Sequence, residues 1–437
     1  MLSSEAIAAT TSTRAVFMLA WPLALKAIML HGIVVIDAFL VSALGEAALA
    51  AMGLAASLGG LMLGILFAFS NSTQIRIAQA FGSGNPVALK SGFYCGLIIN
   101  LSVAVLGMAL VWTLGDDVIT AFAHTPEIAG LAMEYLGVFM LVVVGEAIGQ
   151  TLSSHFNGCG KTRTPFFGYL IALPVNVGLS ILLIHGLYGF PELGLVGAAV
   201  GSATASFVRV VFLGTRFVQL NRAYLDVTGW LSGGLPDAIR KHLLFSLPIA
   251  ATFISMTVAN NVCMLLYAKL SVNQFAAMTL IMPWVMVAGT LGISWAQATG
   301  IMIAQLLGKD TGSDDLDQFL ARAWQGAFVA AGVVSLAYLI VCLASGWIYS
   351  GLQVETTAAL LSFLPVLLVL PFPKGSNAIC GNTLRAAGDT VYVMNIFVGS
   401  QWVFRVPATA LLVLYFELSV TWVFTLFLLE ELVKFPF

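Results

Sequence analysis

Apolar runs of about 20 residues recur from one end of this sequence to the other, and each is long enough to cross roughly 30 Å of hydrocarbon as a helix. Only 9% of the residues are charged, and 60% are hydrophobic. Because a soluble domain carries about 25% charged residues, this composition predicts an integral membrane protein surrounded by a lipid bilayer. The runs do not alternate apolar with polar residues, as the strands of a membrane barrel do. We therefore expect an all-α protein whose helices satisfy their own backbone hydrogen bonds in lipid.

Twelve membrane spans are predicted. They cover residues 15–41, 48–72, 91–114, 129–154, 166–186, 195–217, 242–267, 275–298, 320–344, 356–380, 392–414 and 418–434. An even number of spans places both termini on one side of the membrane. With the amino terminus inside, Lys269 is the only basic residue of the outer loops, whereas residues such as Lys161, Arg163 and Lys241 recur in the inner segments. The positive-inside rule then predicts cytoplasmic termini and a multi-pass protein of the inner or plasma membrane.

The second half of the sequence repeats the first at an offset of 226 residues, since Pro22 aligns with Pro248 (248 minus 22). Each half contains six of the predicted spans. We therefore predict an N-terminal six-helix lobe of residues 1–218, a cytoplasmic linker of residues 219–241 and a C-terminal six-helix lobe of residues 242–437. Because six is even, the two lobes share one orientation, and a pseudo-twofold axis runs along the membrane normal. Two such lobes around a central cavity are typical of transporters that alternate between outward-open and inward-open states.

Several segments of the sequence resemble the MATE family (multidrug and toxic compound extrusion). They are LAWPLALKAIMLHGIVVIDAFLVSALGEAALAAMGLA, HFNGCGKTRTPFF, LIHGLYGFPELGLVGAA and NTLRAAGDT, and the resemblance covers essentially the whole chain. It implies a secondary transporter that exports organic cations or amphiphilic drugs in exchange for H⁺ or Na⁺. Small-molecule substrates are then the expected partners, and neither a cofactor nor an obligate protein partner is expected.

The resemblance assigns the ion-coupling role to Asp37, which lies 15 residues after Pro22 in the first span. A carboxylate in lipid costs roughly 2.5–3.5 kcal/mol on insertion scales, and burial favours its neutral form, so it can load and release a proton. Asn176 and Ser202 match polar residues of the family's fifth and sixth helices, and Ser180 follows Asn176 by one turn. These side chains are expected to bind Asp37 or an ion near it. With only one carboxylate present, H⁺ is favoured over Na⁺, because a hard cation prefers more charge.

Further ionisable residues lie inside the predicted spans. Glu146 and Lys374 are 228 residues apart, which makes them pseudo-symmetry mates, and we hypothesise an ion pair or gate between the lobes; the alternative is two independently solvated residues. Lys26 shares a helix face with Asp37, three turns away, and either tunes the charge of the cavity or snorkels to the cytoplasmic edge. Arg405 of the eleventh span either binds helix carbonyls or pairs with an acid.

The seventh span departs from the family pattern. Some members carry a glutamate eight residues after the proline of this helix, where this sequence has Met256. Asn260 and Asn261 are the polar residues of the span, and an amide cannot carry a proton. Asp389, in LRAAGDT, matches an aspartate that has been assigned to cation binding in some members; the alternative is an anchor for the loop beside Arg385.

Other functional classes lack support in the sequence. There is no GxxxxGK[ST] loop for ATP, no nucleophile–base constellation and no metal motif, so an ATP-driven pump or an enzyme is not expected. A net charge of −2 without a basic tail gives no indication of nucleic-acid binding. The alternative to a proton-coupled antiporter is a lipid or polysaccharide flippase of a related family, which should have a more cationic cavity. A membrane sensor or scaffold is disfavoured by the repeat and the buried polar residues.

Overall fold

The computed structural model describes residues 12–220, 234–344, 354–416 and 418–436. Nearly all of these residues are helical and none of them forms a strand, which confirms the predicted all-α class. The helices, in chain order, are α1 (Thr13–Ser42), α2 (Glu46–Gly82), α3 (Pro86–Phe122), α4 (Pro126–Gly158), α5 (Arg163–His185), α6 (Leu195–Leu220), α7 (Leu235–Tyr267), α8 (Val272–Gly308), α9 (Ser313–Leu343), α10 (Val354–Ser362, Leu364–Val369 and Pro371–Ala387), α11 (Thr390–Tyr415) and α12 (Val420–Val433).

Each of the twelve predicted spans coincides with one of these helices. Within the described residues, ten helices are long and apolar enough to cross a membrane, and the bent α10 adds an eleventh. The helix α12 has 14 residues, fewer than the roughly 20 that a straight span needs. The frame therefore consists of ten continuous spans, one broken span and one short apolar helix.

Several helices begin at a proline that follows a capping side chain. Asn85 Oδ1 accepts hydrogen bonds of 3.0 Å from the backbone N–H groups of Val87 and Ala88, and α3 begins at Pro86. Thr125 Oγ1 accepts in the same way from the N–H of Ile128, at 3.2 Å, one residue before Pro126 of α4. Proline suits this position because its missing N–H has no partner in the first turn anyway.

The chain forms two compact units, which divide α1 and α7 shortly after their prolines. The N-terminal unit is Leu25–Ala250, and the C-terminal unit contains the described residues up to Ala24 and those from Ala251 onward. Both boundaries fall two residues after a repeated proline, Pro22 or Pro248. The predicted division into residues 1–218 and 242–437 keeps α1 and α7 whole, so the compact units differ from it at these two helices. Residues 221–233 of the predicted linker lie outside the described residues.

Glycines bring α5 and α6 close together in the N-terminal unit. A Cβ atom added at Gly197 would lie 2.7 Å from the backbone carbon of Leu183, and one at Gly201 would lie 3.2 Å from the carbonyl oxygen of Asn176. Two glycines one turn apart on a helix allow backbones to approach closely in a membrane. This packing places the residue after Gly201, Ser202, beside Asn176.

The C-terminal unit contains two irregular helices. The two halves of α10 meet at Pro371 with a bend of 45°, as expected where proline removes a helix hydrogen bond. In α11, π-helical turns cover Ser400–Arg405 and Leu411–Tyr415, on either side of Pro407. Such turns are frequent at functional sites, and this one contains the buried side chains of Gln401 and Arg405.

Candidate functional site

Three of the predicted site residues form a hydrogen-bonded chain in the N-terminal unit. The amide Nδ2 of Asn176 donates to Ser202 Oγ at 2.8 Å, and Ser202 Oγ donates to Asp37 Oδ2 at 3.1 Å. The chain joins α5, α6 and α1, and Asp37 is only 8% exposed. The structure thus brings the predicted residues together; their role in ion coupling stays a prediction.

Three buried oxygen atoms at this site have no hydrogen-bond partner within the described residues. They are Asp37 Oδ1, Asn176 Oδ1 and Ser180 Oγ. A buried polar atom without a partner costs about 1–3 kcal/mol, so each favours a proton or another positively polarised ligand. Protonation of Asp37 turns the carboxyl group into a donor as well as an acceptor. The site therefore has one carboxylate and a surplus of acceptors.

Tyr135 of α4 belongs to the same site, although the sequence analysis did not include it. Its side chain is 4% exposed and lies close enough to Asp37 for the two groups to interact electrostatically. No feature of the sequence around Tyr135 distinguishes it from the many aromatic residues that face lipid.

A second buried cluster surrounds Glu146 on α4. Arg209 Nη2 of α6 lies 2.8 Å from Glu146 Oε1, and Gln150 Nε2 donates to Glu146 Oε2 at 3.0 Å. Gln150 Nε2 also lies 3.3 Å from the hydroxyl of Tyr169. The carboxylate of Glu146 is therefore paired inside its own unit with a residue other than the expected Lys374.

Two cations of this cluster lie over one aromatic ring. The guanidinium carbon of Arg209 is 4.3 Å from the centre of the Tyr169 ring, and Lys26 Nζ is 5.6 Å from it. We call Lys26, Glu146, Gln150, Tyr169 and Arg209 the Tyr169 cluster. Lys26 is only 7% exposed and is close enough to Arg209 and Glu146 to interact electrostatically with both. Of its two predicted roles, this buried position favours tuning of the internal charge over snorkelling to the membrane edge.

Arg209 is the main residue that the sequence analysis missed. It is a lone arginine in the apolar segment SFVRVVFLG, and its side chain is almost wholly buried (1% exposed). An ionisable residue within a membrane helix is by default a candidate for function, so the signal was present. Gly149 of α4 makes room for it, because a Cβ atom there would lie 3.1 Å from Arg209 Nε.

A network of charges lies in the C-terminal unit. Arg405 Nη1 is 3.0 Å from Glu430 Oε2, and Arg405 Nη2 donates to Asn260 Oδ1 at 2.7 Å. Of the two predicted roles of Arg405, the structure shows pairing with an acid. Asn260 is thus part of the network, whereas Asn261 is exposed.

The same network extends along α12. Lys434 Nζ lies 3.3 Å from Glu430 Oε1 and 3.2 Å from Glu431 Oε2, and Asn377 Nδ2 of α10 donates to Glu431 Oε2 at 2.8 Å. Lys374 is near enough to Glu431 to interact electrostatically. Glu430 and Glu431 were missed because the end of the last predicted span seemed to be a solvated edge.

Asp389 lies apart from these contacts, at the start of α11. It is exposed, and its side chain makes no capping hydrogen bond to the helix. The neighbouring Arg385 is buried, with its guanidinium carbon 5.6 Å from the centre of the Phe397 ring. The predicted choice between a loop anchor and a cation site stays open for Asp389.

Sodium or another metal has few candidate ligands. Within the described residues, no group of three or more His, Cys, Asp or Glu side chains is arranged to hold a metal ion. Near Asp37 the available ligands are one carboxylate with the amide and hydroxyl oxygens of Asn176, Ser180 and Ser202. Such a set has less charge than hard cations usually find in proteins.

Comparison with known proteins identifies the family. The MatE family model matches residues 22–182 and 248–411. A Rhizobium meliloti protein named "Probable multidrug resistance protein NorM" is 26% identical over 379 residues, which cover 84% of this chain and 79% of the relative. A Thermotoga maritima protein of the same name is 27% identical over 367 residues, covering 81% of this chain and 76% of the relative.

Solved structures share the fold. A crystal structure described as MATE in the bent conformation has a TM-score of 0.86 at 18% sequence identity, covering 99% of this chain and 95% of that one. The family match includes α1 with Asp37, α4 with Glu146 and α11 with Arg405. The chain therefore belongs to the MatE family, whose members are membrane transporters rather than enzymes.

Proposed function

We propose that this transporter exports amphiphilic organic cations and drugs in exchange for protons, with Asp37 as the coupling carboxylate. The observation that carries the proposal is the buried Asp37 Oδ1, which has no hydrogen-bond partner within the described residues, at the end of the chain from Asn176 through Ser202. The names of the curated relatives, which describe multidrug resistance proteins, support the substrate class.

Protonation changes what Asp37 offers to its surroundings. The ionised carboxylate accepts the Ser202 hydroxyl and attracts a cationic substrate. The protonated carboxyl has no charge and gains a donor, so its attraction for the substrate is lost. A proton and a substrate cation thus stabilise different states of the same site, which is the thermodynamic condition for exchange.

The first helix offers a hinge for this exchange. Pro22 lies inside α1 and removes one backbone hydrogen bond, which permits a bend. The boundary between the compact units crosses α1 between Ala24 and Leu25, and Asp37 lies on the N-terminal unit's side of it. A change of hydrogen bonding at Asp37 acts on the part of α1 that belongs to this unit.

The experiment uses inverted membrane vesicles with ethidium as substrate and an imposed pH or sodium gradient. We expect wild-type transport to follow the pH gradient and Asp37→Asn to abolish this dependence. Asp315→Asn, which neutralises an exposed carboxylate in the first turn of α9, is the matched control. Transport that follows only sodium contradicts proton coupling, and normal pH-driven transport by Asp37→Asn contradicts the role of Asp37.

A further inference from the structure

Buried charge in the Tyr169 cluster does not balance. Lys26 and Arg209 contribute two cations, and Glu146 contributes the only carboxylate. All three side chains are at most 9% exposed. A buried charge is costly unless it is paired, so one cationic group of this cluster lacks a counterion.

The unpaired cation is Lys26. Glu146 Oε1 is taken by Arg209 at 2.8 Å, and Glu146 Oε2 accepts from Gln150. The ammonium of Lys26 makes no hydrogen bond or ion pair with any described residue, and its nearest aromatic contact is the Tyr169 ring at 5.6 Å. An ammonium group has three donors, and here all of them are available.

Arg209, by contrast, is fixed by its packing. Cβ atoms added at Gly149 and Gly168 would lie 3.1 Å from Arg209 Nε and Arg209 Cγ respectively. Its guanidinium also stacks on Tyr169 at 4.3 Å. Arg209 therefore holds Glu146 in place, and an incoming anion meets the ammonium of Lys26.

The position along the helices points to a substrate rather than a lipid headgroup. Lys26 lies near the middle of the 30-residue α1, and Arg209 lies near the middle of the 26-residue α6. The hydrocarbon core is about 30 Å thick, so headgroups lie about 15 Å from such positions. Transporters commonly bind their substrates at this depth.

We propose that Lys26 binds the acidic group of a transported compound, so that this transporter prefers amphiphiles that carry a carboxylate besides their cationic group. The inference rests on the proposed function and narrows its substrate class. Asp37 lies 11 residues further along α1, about 16 Å by helix rise. One helix thus presents a cationic and an anionic side chain at separate depths, which suits a zwitterion.

Binding to the purified protein in detergent tests this inference independently of ion coupling. The probes are norfloxacin, which has an amine and a carboxylate, and its ethyl ester, which keeps the amine and loses the acid. The measured quantity is the ratio of the Kd of the ester to the Kd of the acid, from quenching of tryptophan fluorescence. We expect wild-type protein to prefer the acid and Lys26→Gln to lower the ratio about tenfold, the effect of one charge-assisted hydrogen bond.

Two further variants separate charge from shape. Lys26→Arg keeps the cation and should keep the preference for the acid. Lys309→Gln removes an exposed lysine that follows α8 and should leave the ratio at its wild-type value. A wild-type ratio near one, an unchanged ratio in Lys26→Gln, an equal loss in Lys26→Arg, or no binding of either compound overturns the inference. Loss of pH-driven ethidium transport with an intact ratio instead overturns only the proposed coupling.

Discussion

Arg209 and Glu146 form an ion pair of 2.8 Å in which the side chains are only 2% and 12% exposed. The guanidinium of Arg209 stacks on Tyr169 at the same time, a combination that the planar arginine group allows and a lysine ammonium does not. The pair links α4 with α6, and Tyr169 adds α5. Three helices of the N-terminal unit are thus joined by one buried charge pair.

Breaking this pair on one side should destabilise the protein strongly. Arg209→Met leaves Glu146 buried without its close cation, and we expect a loss of about 3–5 kcal/mol. The double variant Arg209→Met/Glu146→Met removes both charges and should recover most of the loss, because a buried pair and an apolar pair are often of similar stability. Thermal unfolding in detergent, followed by size-exclusion chromatography, measures both.

The control for this prediction is the exposed pair between Lys241 and Asp237, which are 2.7 Å apart with side chains 68% and 62% exposed. Asp237→Asn should change stability by at most about 1 kcal/mol. If the double variant is as unstable as the single one, packing rather than charge pairing explains the role of Arg209.

The contact between α5 and α6 should tolerate no side chain at Gly197. A Cβ atom there would lie 2.7 Å from backbone of α5, so Gly197→Ala must separate the helices and should cost about 1–3 kcal/mol. Gly214→Ala is the matched control on the same helix, since nothing lies within 4 Å of its Cβ position. Equal unfolding temperatures for the two variants would show that the close approach does not matter.

The hydroxyl of Ser202 should be needed for coupled transport. Ser202→Ala breaks the chain between Asn176 and Asp37, and we expect pH-driven ethidium efflux to fall about tenfold, the effect of one hydrogen bond to a charged group. Ser202→Thr keeps the hydroxyl and should restore most of the activity. Ser153→Ala removes a buried serine that binds only the carbonyl of Gly149 in its own helix, and its efflux should match wild type; a similar loss there would point to general disruption.

The sequence predicted the positions of the helices and the grouping at Asp37, but not the partners of the buried charges. Hydropathy sets the length of a span, and the family spacing relates Pro22 to Asp37. The repeat correctly aligns Glu146 with Lys374, yet alignment says only that two residues hold equivalent places in their lobes. Which cation reaches Glu146 depends on helix rotation and on the space left at Gly149, and neither is visible in a linear pattern.

The two units share a cation–aromatic contact and differ in their carboxylates. Tyr169 and Phe397 are 228 residues apart (397 minus 169), and each ring lies under a cation of the last helix of its repeat, Arg209 at 4.3 Å and Lys434 at 4.8 Å. The acid comes from α4 in the first case, as Glu146, and from α12 itself in the second. Duplication therefore explains the shared contact, and later substitution explains why the pairs could not be inferred from the repeat.

Both termini are predicted to be cytoplasmic, and cysteine labelling can test this. Ser83 and His124 are exposed at opposite ends of α3, so a membrane-impermeant maleimide on intact cells should label His124→Cys and not Ser83→Cys. The variants are made after replacement of the native cysteines Cys95, Cys159, Cys263, Cys342 and Cys380. Labelling of Ser83→Cys after permeabilisation is the control, and the reverse pattern on intact cells would invert the predicted orientation.

Arg405 should couple α7 to α12 through its two separate contacts. Nη1 pairs with Glu430 and Nη2 binds Asn260, whereas a lysine at this position has one ammonium and can satisfy only one of them. We expect Asn260→Ala to cost about 1 kcal/mol in the wild type and almost nothing in Arg405→Lys, so that a double-mutant cycle shows coupling. Asn261→Ala, at an exposed neighbour, should change stability by less than about 0.5 kcal/mol in either background. Additive effects of Asn260→Ala and Arg405→Lys would mean that the two residues stabilise the protein independently, and that the π-helical turn in α11 holds Arg405 without help from α7.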